Sequence, residues 1–210
     1  MRLCLIGMSS VGKSFCAKNL AATKGYRHID CDAMIEERLA AELGPQGLSG
    51  IEGVATWMGH PTDPQYTENS QRYLSLEREV MEEVLATLPD DPNASFVIDT
   101  TGSVIYLGDA ILDALRKKTR IVYLEASEKH VDQLFRSYSC VRPKPVIWGD
   151  SYQPHPNETP DKTLARCYPD LLRERAVRYN ALAHVVIPTH DLAKHWSNIG
   201  SFILERSTST

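Results

Sequence analysis

The chain has 210 residues, of which 42% are hydrophobic and 24% are charged, and its formal net charge is −4. This ordinary globular composition excludes overall disorder, and the acidic balance excludes the broad basic surface of a nucleic-acid-binding protein. No apolar run is long enough for a membrane span or a secretory signal, so we expect a cytoplasmic protein that contacts neither membrane nor nucleic acid. The length fits a single domain over residues 1–210, which we expect to be a monomer or a weak dimer.

The first predicted element is a buried strand, Arg2–Ile6, an apolar run that leads directly into a glycine loop. Further strands are predicted at 25–30, 95–98, 119–124 and 184–187. Helical patterns occupy 13–23, 32–43, 71–88, 110–116, 128–137, 164–182 and 191–204. Because short apolar strands alternate with helices, the sequence predicts an α/β fold in which a five-stranded parallel sheet carries helices on both faces.

Two long stretches lack a clear hydrophobic period. Residues 44–70 contain several glycines and three prolines, and we interpret them as an excursion on the substrate side of the domain. Residues 143–160 contain five prolines, which favours a lid over 140–163 or, as an alternative, a disordered or partner-binding insertion. Residues 205–210 are predicted to form a frayed tail.

The segment GMSSVGKS, from Gly7 to Ser14, matches the phosphate-binding pattern G-x-x-x-x-G-K-[ST] in full. Glycines let the backbone N–H groups curl toward phosphate oxygens, and a helix starting at Lys13 adds its positive end. The pattern assigns Lys13 to the terminal phosphates and the Ser14 hydroxyl to Mg²⁺. The motif therefore predicts a three-layer P-loop NTPase fold with a nucleoside triphosphate held by Gly7, Ser9, Ser10, Val11, Gly12, Lys13 and Ser14.

Three further segments, together with the phosphate loop, resemble the shikimate kinase family. They are HIDCDAMIEERL (28–39), VRPKP (141–145) and LLRERAVRYNALAHVVIP (171–188), in the order that the family has them. The resemblance runs from residue 1 to about residue 188. It implies a small-molecule kinase that uses ATP and Mg²⁺ and transfers the γ-phosphate to a hydroxyl group of a small metabolite.

The resemblance also implies roles for individual side chains. Asp30 would lie near the Mg²⁺, and Asp32 would face the acceptor hydroxyl and orient or accept its proton. Arg142, in the lid, would bind the phosphates and, with Lys13, stabilise the charge of the transferring group. Arg175 would bind an anionic group of the acceptor. The alternatives are a helix cap for Asp30 and a surface ion pair for Arg175.

The segment after the third strand departs from the family pattern. Shikimate kinases carry a glycine triplet there, and in this chain only Gly102 matches it, since Thr101 and Ser103 bring side chains. We predict that Thr101 and Gly102 contact the acceptor, together with Asp32 and Arg175. Asp99, at the end of the strand, is typical of a carboxylate that holds Mg²⁺, although a buried capping role is the alternative.

A second departure concerns the predicted helix 71–88. The family has an F-R-x-x-E segment whose arginine binds the carboxylate of the substrate, and here Leu74 takes the arginine position while Glu77 fits. The acceptor is therefore predicted to be shikimate or a related cyclitol or sugar acid, with a divergent site.

Two other functions stay open at this point. A nucleoside or nucleotide kinase of the same fold would need arginines for a phosphorylated acceptor, and Arg72, Arg136 and Arg166 are the candidates. The second open function is a degenerate, non-catalytic regulator that binds nucleotide. It is favoured by Leu74 and by the loss of the family's glycine triplet.

Overall fold

A computed structural model describes residues 1–89, 91, 93–126, 134, 135, 138 and 143–208. Its strands form one five-stranded sheet in the order β2-β3-β1-β4-β5, and all four pairings are parallel. The strands are β1 (Arg2–Ile6), β2 (Arg27–Asp30), β3 (Phe96–Asp99), β4 (Arg120–Glu125) and β5 (Val185–Pro188). The predicted fold class and all five predicted strands are confirmed.

The helices connect these strands and cover the sheet. They are α1 (Lys13–Lys24), α2 (Cys31–Arg38), α3 (Ala40–Leu43), α4 (Gly50–Met58), α5 (Tyr66–Thr87), α6 (Asp109–Lys118), α7 (Pro160–Leu182), α8 (Thr189–Lys194) and α9 (Ile199–Thr208). Among the described residues, none of the helices combines the length and the apolar character needed to cross a membrane.

Two hydrophobic cores lie on opposite faces of the sheet, because successive side chains of a strand point to opposite sides. On one face, Leu3 and Leu5 pack in a cluster with residues of α1 and α9. On the other face, Cys4 and Ile6 belong to a larger cluster that includes residues of α2, α4, α5, α6 and α7. Helices on both faces make the three predicted layers.

The stretch 44–70 is more regular than the sequence suggested. Helix α4 occupies its middle, with Val54 and Met58 fully buried, and α5 begins at Tyr66 rather than at residue 71. The prolines suggested irregular structure, but Pro61 and Pro64 lie in the turn between α4 and α5 and therefore interrupt neither helix. The apolar residues of α4 form the buried face of that helix.

The proline-rich stretch predicted as a lid is anchored in its central part. Residues 140–142 lie outside the described residues, while Trp148 is 1% exposed and its indole Nε1 donates a hydrogen bond to the Tyr138 hydroxyl at 3.0 Å. The Trp148 backbone N–H also donates to the Tyr66 hydroxyl at 2.9 Å. Residues 160–163 already belong to α7.

The C-terminal prediction was wrong for part of the tail. Helix α9 continues to Thr208, and Ser207 is buried with its hydroxyl bonded to the Ile203 carbonyl at 2.7 Å. Four residues assigned to a frayed tail are therefore helical. The predicted helix 128–137 falls largely outside the described residues.

Candidate phosphate-binding and acceptor site

The loop between β1 and α1 has the conformation that the phosphate motif requires. Gly7 has φ +140°, and a Cβ there would lie 2.6 Å from the Leu124 carbonyl oxygen. Gly12 has φ +101° and precedes the first turn of α1. Both positions need glycine, since other residues would be strained or would clash. The loop therefore presents its backbone at the N-terminus of α1, where anions bind.

Lys13 lies across this loop. Its side chain is 6% exposed, and its ammonium donates to the carbonyl oxygens of Gly7, at 2.9 Å, and Met8, at 3.0 Å. Burial lowers the pKa of Lys13, while the carboxylates of Asp99 and Asp32 raise it. The positive charge is thus fixed at the loop by geometry before any ligand arrives.

A cavity of about 370 Å³ opens beside Lys13 and brings several of the predicted residues together. Its lining includes Ser9, Ser10, Gly12, Lys13, Ser14, Phe15, Asp32, Ile51, Tyr73, Gly102, Lys144 and Pro145. The sequence reasoning missed Tyr73 and Lys144. Lys144 stands two residues after Arg142, so its place in the resembling segment was the available signal.

Asp32 lines the same cavity as Lys13. It is half-buried in the first turn of α2, and the Tyr73 hydroxyl donates to its Oδ1 at 3.3 Å. Burial raises the pKa of Asp32 to about 6, with further increases from Asp99 and Asp30, against the lowering effect of Lys13 and Lys144. A carboxylate with a pKa near neutrality, in a cleft beside a fixed cation, is suited to accept a proton.

Asp30 and Asp99 lie side by side at the carboxyl edge of the sheet, paired in register between β2 and β3. Asp30 caps α2, accepting from the Ala33 N–H at 3.1 Å, so its alternative capping role is realised. Asp99 is 2% exposed, and neither carboxylate oxygen has a hydrogen-bond partner among the described residues. Buried carboxylates without partners fit a cation.

His28 joins these two carboxylates, which the sequence reasoning did not anticipate. Its Nε2 lies 3.5 Å from Asp99 Oδ2, and one possible ligand atom from each of His28, Asp30 and Asp99 lies within 4.8 Å of the others. The signal was present in the sequence, because His28 and Asp30 are two residues apart on a strand and therefore share a face.

The loop after β3 is bonded to α5. The hydroxyls of Thr101 and Ser103 both donate to the carboxylate of Glu77, with Ser103 at 2.6 Å from Oε2. Glu77 is 1% exposed, and burial raises its pKa to about 7 against the lowering effect of the two hydroxyls. Gly102 lines the cavity, whereas Thr101 does not and directs its hydroxyl to the buried Glu77.

Arg175 is buried behind the same loop and is 1% exposed. Its Nη1 donates to the Gly102 carbonyl at 3.0 Å and its Nη2 to the Ile147 carbonyl at 2.5 Å. The Tyr179 hydroxyl donates to the same Gly102 carbonyl at 2.5 Å. The alternative of a surface ion pair for Arg175 is wrong, and the side chain here holds backbone next to the cavity without lining it.

Several other arginines were candidates for phosphate contacts. Arg142, the predicted lid arginine, and Arg136 lie outside the described residues. Arg72 pairs with Glu42 at 3.4 Å and Arg166 with Glu158 at 2.7 Å, both in surface ion pairs. Neither of these two lines the cavity, so the arrangement that a phosphorylated acceptor would need is not found among them.

No protein-family model matches the chain. Among curated proteins, it is 27% identical to the shikimate kinase of Paracidovorax citrulli over 183 residues, which cover 87% of this chain and 79% of the relative. It is 25% identical to the shikimate kinase of Francisella tularensis subsp. holarctica over 205 residues, covering 97% of this chain and 94% of the relative.

Solved structures share the fold. The shikimate kinase of Aquifex aeolicus matches with a TM-score of 0.62 at 17% identity, over 98% of this chain and 95% of that one. The shikimate kinase of Acinetobacter baumannii in complex with shikimate matches with a TM-score of 0.60 at 19% identity, over 99% of this chain and 94% of that one.

The sheet order, the helices on both faces and the phosphate loop define a protein of the P-loop kinase fold. Within that class, the chain is similar to shikimate kinases along most of its length and at low identity, which confirms the resemblance that the sequence motifs carry. The similarity supports a kinase that acts on a small molecule.

Proposed function

We propose that this protein transfers the γ-phosphate of ATP to a hydroxyl group of a small polyhydroxylated molecule. The observation that carries the proposal is that Lys13 and Ser14 of the phosphate loop line one cavity together with Asp32. A phosphate donor and a hydroxyl acceptor can react only if the groups that bind them, here the phosphate loop and Asp32, line the same cavity. Phosphoryl transfer then depends mainly on positioning and on neutralising charge.

Each side chain has a defined task in this proposal. Lys13 binds the terminal phosphate oxygens, which replace the loop carbonyls as its hydrogen-bond acceptors. Asp32 orients the acceptor hydroxyl and takes its proton as the new phosphate ester forms. Arg142, the lid arginine that the resemblance implies, is proposed to stabilise charge on the transferring group.

A cation site fits beside the phosphate loop. The Ser14 hydroxyl and the carboxylates of Asp30 and Asp99 would hold Mg²⁺, which neutralises charge on the phosphates when it is bound. The support is the buried carboxylate of Asp99, which accepts no hydrogen bond from the described residues and lies next to Asp30. The Asp30 carboxylate caps α2 through Oδ1, so Oδ2 is the oxygen proposed to bind the cation.

The acceptor side differs from what the resemblance implies. Leu74 stands where the family has a substrate-binding arginine, and Arg175 is held by two backbone carbonyls. The cavity is lined by Tyr73, whose hydroxyl donates to Asp32, and by Gly102 and Lys144 among others. We therefore propose a polyol, either a cyclitol or a sugar acid whose single carboxylate meets Lys144, with shikimate itself among the candidates.

The test is an ATP-consumption screen over shikimate, gluconate, cyclitols and nucleosides with purified protein. We expect turnover on a cyclitol or sugar acid, loss of turnover and of ATP affinity in Lys13→Met, and loss of turnover with ATP affinity kept in Asp32→Asn. ATP binding with no turnover on any compound would favour the non-catalytic regulator. Turnover only on nucleosides or nucleotides would favour the other alternative.

A further inference from the structure

Two aromatic rings stack on each other in the open, next to the phosphate loop. Phe15 directly follows Ser14 in the first turn of α1, and Trp196 lies in the short turn between α8 and α9. Their ring centroids are 4.0 Å apart with an interplanar angle of 8°. The residues remain 39% and 59% exposed, respectively.

Exposure sets Trp196 apart from the other two tryptophans. Trp57 and Trp148 are 7% and 1% exposed, so Trp196 is the tryptophan that solvent reaches. A parallel stack leaves the outer face of each ring free for another flat group. The arrangement therefore offers a preformed stacking surface for a planar ligand.

The position of the pair relative to the cavity points to the ligand. Phe15 lines the same cavity as Gly12, Lys13 and Ser14, where phosphates are proposed to bind. Trp196 follows β5 and α8, on the side of the sheet where the carboxyl ends of the strands lie, which is where doubly wound sheets bind their ligands. The stacking surface is therefore adjacent to the proposed phosphate site.

The elements that carry the two rings are tied to each other. The Gly200 N–H of α9 donates to the Asn19 side chain of α1 at 3.2 Å. The turn with Trp196 is closed by the Asn198 N–H, which donates to the His195 carbonyl at 3.0 Å. The rings are thus held in register by α1 and α9, so a ligand does not have to assemble them.

We propose that Phe15 and Trp196 form the stacking site for the base of the bound nucleoside triphosphate. This inference rests on the proposed function, because it places the base by extending from phosphates in the loop. A base stacked on aromatic side chains gains affinity through its π-face, whichever groups lie on its edges. The contribution belongs to the base alone and is absent for a polyphosphate without one.

The experiment compares ATP with inorganic tripolyphosphate by calorimetry. Trp196→Ala is expected to weaken ATP binding roughly ten- to hundredfold, the usual scale of losing one aromatic–base stack, and to leave tripolyphosphate binding unchanged. Trp196→Phe keeps a ring and is expected to keep ATP affinity within a few-fold. Val177→Ala, which truncates another exposed apolar side chain at 71% exposure, is the matched control and should change neither.

A second readout uses the intrinsic fluorescence of Trp196. ATP should protect it from acrylamide quenching, and tripolyphosphate should not. Equal effects of Trp196→Ala on both ligands, or no protection by ATP, would overturn the stacking site while leaving the proposed kinase activity intact. If the wild-type protein binds neither ligand, the proposed function and the stacking site are both overturned.

Discussion

The carboxyl of Glu77 is buried between α5 and the loop after β3, with two hydroxyls donating to it. Burial raises its pKa from 4.5 to about 7 in the folded protein, so between these values the folded state binds more protons than the unfolded state. Stability must then fall as pH rises through this window. Relative to Glu77→Gln, we expect the free energy of unfolding of the wild type to drop by roughly 2–3 kcal/mol from pH 4.5 to 7.5.

Urea unfolding at several pH values measures this difference. Glu79, which lies two residues further along α5 and is exposed, supplies the control, because Glu79→Gln should show no such trend. A constant difference between wild type and Glu77→Gln across the window would contradict the assignment of the raised pKa. Asp32 is present in both proteins, so the difference reports Glu77 together with its Coulombic coupling to Asp32.

At the level of residues, the sequence predicted the groups that a local motif specifies. Lys13, Ser14 and Asp32, all named from local motifs, line one cavity. The roles of Thr101 and Arg175 could not be read in the same way, because their partners, Glu77 and the carbonyls of Gly102 and Ile147, are 24 to 73 residues away in the chain. A buried donor takes whichever acceptor the fold brings near, and no spacing rule reports it.

The packing of α9 on α1 depends on a residue without a side chain. A Cβ at Gly200 would lie 2.8 Å from Asn19 Oδ1 and 3.2 Å from Thr23 Oγ1. We expect Gly200→Ala to lower the free energy of unfolding by about 1 kcal/mol, since the Asn19 side chain must rotate away and lose the hydrogen bond that it accepts from the Gly200 N–H. Thermal or urea denaturation measures the loss.

Gly44→Ala is the matched control for this substitution. Gly44 has helical dihedrals of −56° and −46°, and no atom lies within 4 Å of a Cβ placed there. It should stabilise the protein by about 0.4–1 kcal/mol through the unfolded chain. Removing the obstacle with Asn19→Ala should recover part of the cost of Gly200→Ala. A neutral Gly200→Ala would contradict a stabilising contact between Gly200 and Asn19.

At the level of elements, the strands were the most predictable part, because a sheet covered on both faces needs short, continuously apolar runs. The helices between residues 44 and 70 were not predictable, since prolines and glycines mark the ends of elements without showing on which side of them a helix lies. The apolar residues of α4 gave the signal that was underweighted. Its burial against α2 and α5 comes from packing that local propensity does not express.

For the molecule as a whole, the described cysteines report on global unfolding. Cys4, Cys16, Cys31 and Cys167 are free and at most 1% exposed, and burial raises the pKa of Cys4 and Cys16 to about 12. In a Cys140→Ser background, an aromatic disulfide reagent should label none of them in the native state and all of them in denaturant.

ATP supplies the second arm of this labelling experiment. If it binds the folded state, saturating ATP should slow labelling further by shifting the unfolding equilibrium, by about 2.7 kcal/mol at a hundred times its Kd. Lys13→Met should remove this protection. Rapid labelling of several thiols in the native protein would contradict the closed cores on both faces of the sheet.

The position of β1 has a consequence for how the protein is made. β1 precedes both of its neighbours in the chain, yet it lies between β3 and β4, with Leu5 in register with Asp99 on one side and Val122 on the other. The phosphate loop that it carries leaves the ribosome long before either neighbour exists. If nucleotide binds at this loop as proposed, it cannot guide the first steps of folding, because β3 and β4 must first assemble on either side of β1.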